Sequence, residues 1–407
     1  MKRIMQCLIG VFVLSSCSPE GVTVPAAKKW VETKFVPSNG AAYDFFGKSV
    51  CLSPDARIFI VGAYYKNSST GTAYDYTLSG GNWIETPFNA FDAAAGDEFG
   101  ISVTVGGGIF YVGAQKDDDK GADSGAVYQR KWSGLGWTGA KLIVNNGAAG
   151  DQFGCSVSAS SNGAMVAIGA RNDAVNFPCE GAVYLFTQSG LNWATNKLYP
   201  SDGGAGMWFG GSVSLSIHGS AVMVGAVGQN SYTGGAYLYE KSGVSWIETK
   251  FIPHDAQTNL WFGYSVAVSG DGNTVAVGAE NKTNMNYPLG ALYIYKKSGT
   301  EWMTNKITLT NGGHIGYSVA VSADGNTVAA GAPADSSLFP GVTGSVYLYR
   351  WNGSGWDCTR FNASDSAANY FGNSVSLSAD GNTLLVGAKN SSEYGIDSGS
   401  VYLYQWK

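Results

Sequence analysis

An acidic segment offers the first candidate chemistry of this 407-residue chain. Its four carboxylates fall within seven residues and belong to Asp117, Asp118, Asp119 and Asp123. Calcium takes six to eight oxygen ligands, several of them from carboxylates, so these four residues are candidate metal ligands. A run of like charges is more commonly a solvated loop, and that alternative stays open. Calcium is the one cofactor for which the sequence offers ligands, and no other cofactor is expected.

Catalytic side chains form no recognisable pattern in the sequence. The three histidines, His218, His254 and His314, lie far apart and lack the spacing of metal ligands. The nucleophile motif G-x-S-x-G is absent. The sequence therefore predicts that the protein is not an enzyme. Pairs of carboxylates that hydrolyse glycosidic bonds come together only in space, so a polysaccharide hydrolase or lyase remains an alternative.

The first sixteen residues have the features of a secretory signal peptide. Lys2 and Arg3 supply the charged start, residues 7–14 form an apolar core, and two serines follow. The apolar run is too short to span a bilayer. These features predict that residues 1–16 direct export and are then removed.

The segment Leu-Ser-Ser-Cys at residues 14–17 resembles the bacterial lipobox, in which the cysteine becomes the acylated first residue. The resemblance implies lipidation of Cys17 and a short tether over residues 17–27. It also implies a bacterial cell-envelope location, at the outer membrane or cell surface, because Ser18 rather than an aspartate follows the cysteine. An ordinary secretory signal with an incidental cysteine is the alternative.

Four cysteines follow this N-terminal segment, at Cys51, Cys155, Cys179 and Cys358. Cys155 starts a predicted strand, and Cys179 lies in a loop of the same repeat, so these two could form a disulfide. Buried free thiols are the alternative for all four residues.

One pattern of residues returns seven times along the chain. Each copy begins with an aromatic or aliphatic residue, a glycine, a variable residue x and a serine, and continues to an apolar run that ends in Gly-Ala. An alternating segment such as Val-Tyr-Leu-Tyr follows, and a segment with a tryptophan comes last. The seven Phe-Gly or Ile-Gly pairs begin at Phe46, Phe99, Phe153, Phe209, Phe262, Ile315 and Phe371.

These segments predict β-strands, because they are short, rich in β-branched and aromatic residues, and bounded by Gly, Asn, Asp or Ser. Four strands form one antiparallel sheet that cannot bury both faces alone, so the repeats must stack. The prediction is an all-β fold, a seven-bladed β-propeller of four-stranded antiparallel blades over residues 28–407. The strand at Trp30 is of the fourth, tryptophan-containing type, but the first, second and third strands of its blade do not precede it. The chain stops after a third strand at residues 401–404. We therefore expect the N-terminal strand to complete the last blade and hide its edge.

The motifs Phe-Gly-x-Ser-Val, Val-Gly-Ala and Ser-Gly-x-Val-Tyr together resemble the FG-GAP repeat, the unit of integrin α-chain propellers and of bacterial envelope proteins. The resemblance covers residues 28–407. It implies the propeller fold, but one fold hosts many functions.

Calcium sites in the FG-GAP family lie in the hairpin between the first two strands, on a loop of the form Dx[DN]xDGxxD. The corresponding hairpins here contain Asp271, Asp324 and Asp380, each as a single carboxylate. Asp-Gly between alternating strands is a strong signal for a tight turn. The sequence therefore favours turns over calcium sites in these hairpins.

The residue before the Phe-Gly pair varies more than its neighbours. It is polar in two adjacent repeats, at Glu98 and Gln152, and aromatic or histidine in the rest. Variable positions beside long loops on a rigid scaffold are where binding usually occurs, and aromatic rings suit sugars or apolar side chains. Core packing between blades is the alternative. The candidate ligand-binding residues are Phe45, Trp208, Trp261, His314 and Tyr370.

The formal net charge is −5, and no basic stripe is present, so nucleic acid is an unexpected partner. Together these features predict an envelope-anchored binding or adhesion module with a protein or glycan ligand, in contact with the membrane only through its lipid anchor. A structural subunit of an envelope complex is a further alternative.

Overall fold

The computed structural model describes residues 28–190, 192–280, 290–309, 313–335, 344–365 and 369–407. The predicted signal peptide, Cys17 and the tether lie outside the described residues. Within them, no helix has both the length and the apolar character needed to cross a bilayer.

Strands make up nearly all of the regular structure. Two four-residue turns are helical by hydrogen bonding, α1 at Lys66–Ser69 and α2 at Gln229–Tyr232, and each contains three residues with positive φ. The strands are β1 Trp30–Phe35, β2 Ser49–Leu52, β3 Ile58–Ala63, β4 Thr72–Ser79, β5 Asn82–Phe88, β6 Ser102–Gly106, β7 Ile109–Ala114, β8 Ala126–Trp132, β9 Trp137–Leu142, β10 Phe153–Ala159, β11 Met165–Ala170, β12 Ala182–Ser189, β13 Asn192–Leu198, β14 Phe209–Leu215, β15 Ala221–Ala226, β16 Gly235–Ser242, β17 Ser245–Phe251, β18 Phe262–Val268, β19 Thr274–Ala279, β20 Ala291–Ser298, β21 Glu301–Thr308, β22 Ser318–Val321, β23 Thr327–Ala332, β24 Ser345–Trp351, β25 Trp356–Phe361, β26 Phe371–Leu377, β27 Thr383–Ala388 and β28 Ser400–Trp406.

The described strands form seven four-stranded antiparallel sheets, which are the blades. Blades 1 to 6 take their strands consecutively from β2 to β25, and blade 7 has the order β1-β28-β27-β26. In blade 7, Trp30 pairs with Trp406 and Phe35 pairs with Val401. The predicted seven-bladed propeller, closed by its N-terminal strand, is therefore confirmed.

The apolar cores lie between the facing surfaces of neighbouring blades. The core that spans the ring closure joins Phe59 and Tyr76 of blade 1 to Leu385 and Leu403 of blade 7. The alternating strands place one apolar face against each neighbour, so a blade is buried only when both neighbours are present.

A hydrogen bond from the repeated serine joins each blade to the next. In six blades its hydroxyl donates to the carbonyl of the Phe-Gly glycine in the following blade, at 2.7–2.9 Å. The bond from Ser374 to Gly47 connects blade 7 to blade 1. In the remaining blade, Ser212 instead accepts the backbone N–H of Val266.

The glycine of Gly-Ala approaches that same carbonyl group. A Cβ atom on this glycine would lie 1.8–2.1 Å from the carbonyl oxygen in all seven blades. No other residue type fits there without moving the backbone, so this contact explains why glycine recurs at this position.

Gly387→Ala tests the contact at the ring closure. Its Cβ would lie 2.1 Å from the carbonyl oxygen of Gly47, so we expect the free energy of unfolding to fall by about 3 kcal/mol. Gly355→Ala is the matched control, because nothing lies within 4 Å of its Cβ position. Thermal and denaturant melting would measure both variants. Equal stability of the two would contradict this account of the closure.

Candidate functional site

A cavity of about 770 Å³ opens at one end of the propeller axis. The variable residue x of the Phe-Gly-x-Ser turn lines it in every blade, which places the cavity on the axis. This volume falls within the range of small-molecule binding sites. We call it the axial pocket. Its seven x residues are Lys48, Ile101, Cys155, Gly211, Tyr264, Tyr317 and Asn373.

The residue before each Phe-Gly pair has a left-handed backbone, with φ between 52° and 58° in all seven blades. Its carbonyl accepts the N–H of residue x at 3.0–3.2 Å, which closes a tight turn. Left-handed angles are costly for residues other than glycine and concentrate at functional sites. Four of these residues line the axial pocket, and they are Glu98, Gln152, Trp208 and Trp261.

The loops between the second and third strands adjoin the same end of the axis. The N–H of Trp208 bonds to the carbonyl of Cys179 in one such loop, and that of Trp261 bonds to Tyr232 in the next. The variable loops and the residues before Phe-Gly therefore share one face of the propeller.

One side of the axial pocket is aromatic. The rings of Trp208 and Trp261 are 6.4 Å apart at 68°, and Tyr232 contacts both, with its ring stacked on Trp261 at 5.8 Å and 20°. The series continues from Trp261 to Tyr264 at 6.3 Å and to Tyr317 at 5.1 Å. Trp208 and Trp261 are partly exposed. We call these five residues, which come from blades 4, 5 and 6, the aromatic side.

The opposite side carries polar and charged groups from blades 1, 2, 3 and 7. They include Lys48, Glu98, Gln152, Arg171 and Asn373. Glu98 accepts from the Gln115 side chain at 2.5 Å and pairs with Lys116 at 2.8 Å. The Arg171 Nε donates to the Gln152 side chain at 2.7 Å.

Two cations of this polar side lack a carboxylate partner in the part of the chain that the structure describes. They are Lys48 and Arg171. Burial, together with the nearby cations Lys389 and Arg171, lowers the pKa of Lys48 to about 8, and Glu98 opposes that shift. The axial pocket therefore carries excess positive charge.

The other three candidate residues for ligand binding are not among those that line the axial pocket, although Phe45 contacts the lining residue Tyr64. Phe45 packs against Tyr64 and Tyr65 at 5.8 and 5.6 Å between ring centroids. The His314 Nδ1 lies 3.7 Å from a Glu280 carboxylate oxygen. Tyr370 is 41% exposed, with the Lys389 ammonium 5.3 Å from its ring centre. The structure brings Trp208 and Trp261 together and leaves these three apart from them.

Sequence reasoning missed four residues that line the axial pocket, namely Lys48, Arg171, Tyr264 and Tyr317. A signal was present in the sequence. Residue x varies among Lys, Ile, Cys, Gly, Tyr and Asn between constant neighbours, and the residue after Gly-Ala varies in the same way.

A family model for the FG-GAP repeat matches residues 30–76, 86–128, 137–186, 194–239, 246–295 and 357–404. The chain belongs to the FG-GAP repeat family. A search of curated protein sequences found no significant match to this FG-GAP protein.

Solved structures similar to the FG-GAP chain show the fold alone. Hydrazine synthase of Kuenenia stuttgartiensis has a TM-score of 0.59 and 14% identity, over 91% of this chain and 99% of that one. The WD40 repeats of RRP9 have a TM-score of 0.57 and 10% identity, over 92% and 97%. U3-55K has a TM-score of 0.55 and 9% identity, over 92% and 98%.

The hairpins where FG-GAP repeats commonly hold calcium are hydrogen-bonded turns here. The Asp271 carboxylate accepts the Ser269 hydroxyl at 2.6 Å and the Asn273 N–H at 2.9 Å. Asp324 and Asp380 make the same bonds in their own hairpins. The prediction of Asp-Gly turns is confirmed.

The acidic loop from Asp117 to Asp123 does not form the candidate metal site. The carboxylates of Asp117, Asp119 and Asp92 converge on the Lys141 ammonium at 2.6–2.9 Å. Asp118 accepts the backbone N–H of Asp123 instead. Burial lowers the pKa of Lys141, but its hydrogen bonds to these carboxylates raise it more, and the net pKa is above its usual value.

The position that a metal ion could have taken is therefore filled by a cation of the chain itself. Within the described ranges, no three His, Cys, Asp or Glu side chains are grouped to hold a metal ion.

The possible disulfide between Cys155 and Cys179 is also corrected, because both are free thiols in the structure, as are Cys51 and Cys358. The Cys155 Sγ lies at the axis, 3.5 Å from the Gly169 carbonyl oxygen and 3.6 Å from that of Gly210. Cys179 lies in the loop between β11 and β12. Membership of one repeat did not bring the two thiols together.

Melting with and without a chelator tests the role assigned to Lys141. We expect EDTA to leave the melting temperature unchanged and Lys141→Met to lower the free energy of unfolding by about 3 kcal/mol, because it leaves Asp117 buried without its cation. Lys241→Met, at an exposed lysine of β16, is the control. Destabilisation by EDTA would show that a metal ion contributes.

Proposed function

We propose that the protein is an envelope-anchored binding module that holds its ligand in the axial pocket. The observation that carries this proposal is the division of a 770 Å³ cavity into an aromatic side and a polar side. Such a cavity can bury one face of a ligand against rings and satisfy the hydrogen bonds of the other face.

The aromatic side suits a ligand that presents an apolar ring face or side chain. Aromatic rings offer large, rigid contact surfaces to sugars and to apolar peptide groups. On the polar side, Gln152 and Arg171 offer N–H donors for hydroxyl groups. Glycans and protein segments are therefore the two ligand classes to compare.

The small number of carboxylates that line the axial pocket favours binding over hydrolysis as the function. Of the described residues that line it, Glu98 alone has a carboxylate. That group is occupied by Gln115 and Lys116. Hydrolysis of a glycosidic bond commonly uses two carboxylates, one of them free to protonate the leaving group.

Variants of the two tryptophans test the binding site. We expect Trp208→Ala and Trp261→Ala each to weaken ligand binding by about 2 kcal/mol, because truncated aromatic contacts are common hot spots. Trp132→Ala is the control, because Trp132 is 57% exposed on the outer part of blade 2. Binding would be measured on whole cells, matrix proteins and glycan arrays, alongside melting and a product assay.

If the two tryptophans only pack the interior, their loss should instead cost about 3–5 kcal/mol of stability. Loss of stability without a specific loss of binding would refute the site. Turnover of the bound ligand would refute a module that only binds.

Cys17→Ala tests the proposed anchor. We expect the variant to lose acyl labelling and to move from the membrane fraction to the soluble fraction, since stable attachment needs the acyl chains. Labelling with a fatty-acid analogue and fractionation after a high-salt wash would measure this. A variant that stays with membranes would contradict lipid anchoring.

A further inference from the structure

The cations of the axial pocket differ from those on the outer part of the blades. Lys141, Lys197, Lys250 and Lys306, on successive outer strands, each pair with an aspartate. Among the described residues Lys48 has no such partner, although it lies in a confined space beside other cations. A partly buried cation without a counterion is costly, so this arrangement needs another explanation.

Arg171 also lacks a carboxylate partner among the described residues, and its geometry suits the binding of an anion. Its Nε is bonded to the Gln152 side chain, which fixes the guanidinium at the pocket wall. Its two terminal amino groups make no hydrogen bond or ion pair to any residue within the described ranges. A guanidinium held in this way can bind a carboxylate or sulfate through two parallel hydrogen bonds.

The charge of the axial pocket is also opposite in sign to the net charge of the whole chain. The protein has a formal net charge of −5, yet the described lining residues contribute two cations and only the Glu98 carboxylate, which is paired with Lys116. A local positive site on an acidic protein attracts anions while the remaining surface repels them.

The aromatic side favours a puckered ring over a flat one. The three neighbouring pairs among its pocket-lining rings meet at 68°, 41° and 54°, so none of these three pairs forms parallel walls around a planar base. Tilted rings can contact the C–H groups on a sugar ring.

From these observations we infer that the ligand is an acidic saccharide, whose carboxylate or sulfate is bound by Lys48 and Arg171 while its ring contacts Trp208 and Trp261. This inference rests on the proposed function, because it takes the axial pocket as the binding site.

The experiment uses an array of oligosaccharides in matched sets that differ only in charge: uronic acids, their methyl esters, sulfated sugars and unsubstituted sugars. We expect the full-length protein to retain acidic members at least about tenfold more tightly than their neutral counterparts. The uronic acid and sulfated arms distinguish the two sources of charge.

Retention of neutral members only would overturn the inference but leave the proposed binding module intact. Failure to retain any saccharide would overturn the inference, and the tryptophan variants would then decide the proposed function with protein ligands.

Variants at Lys48 and Arg171 test the two anion contacts. We expect Lys48→Met and Arg171→Met each to reduce affinity for the acidic member by about tenfold or more without lowering the melting temperature. Lys48→Arg should restore affinity because it keeps the charge. Lys241→Met is the control on the surface. Undiminished affinity in both Met variants would overturn the inference.

The pH dependence of binding provides a separate readout. Lys48 faces Lys389, Arg171 and Glu98, and its pKa of about 8 means that it loses its charge as the pH rises through that range. Affinity for the acidic member should therefore fall between pH 7 and pH 9.5 in the wild type. It should stay constant in Lys48→Arg, because a guanidinium remains charged. A flat wild-type profile would contradict the role of Lys48.

Discussion

The close approach of neighbouring blades at one carbonyl group is the constraint on which the rest of this propeller depends. The carbonyl of the Phe-Gly glycine meets the Gly-Ala glycine of the preceding blade, where a Cβ would come within 1.8–2.1 Å. In six blades the same oxygen accepts the repeated serine hydroxyl. Glycine provides the space and serine satisfies the buried acceptor, so both residues must recur in each blade that uses the contact.

This constraint also leaves certain positions free to vary. The residues on either side of each Phe-Gly pair belong to a turn whose backbone is fixed by its own hydrogen bond and by the preceding blade. Residue x in all seven blades, and four of the residues before Phe-Gly, line the axial pocket. A rigid ring of backbone can therefore present Lys48, Glu98, Trp261 or Tyr317 at equivalent positions. Function can change there while the fold is retained.

Charge is distributed in two ways in the same molecule. On the outer strands, lysines lie over tyrosine rings and pair with aspartates, as Lys141 does with Tyr128 and Asp117. Those groups satisfy one another and stabilise the blade edges. At the axis, Lys48 and Arg171 are left without carboxylates within the described residues. An unbalanced charge in a confined space is a property of binding sites rather than of packing.

The amino-acid sequence by itself determined the seven blades, their four strands and the Asp-Gly turns, because each of these follows from residues close together in one repeat. It also determined the closure, because the register of the repeats leaves the strand at Trp30 without a blade of its own and the last blade without a fourth strand. Only the tertiary structure decided which side chains meet across the ring. It placed Lys48 of blade 1 in one pocket with Arg171 of blade 3 and Trp261 of blade 5, set Lys141 among the carboxylates of the acidic loop, and kept Cys155 apart from Cys179. Such distances depend on how the blades stack around the axis, and no local pattern of residues encodes that geometry.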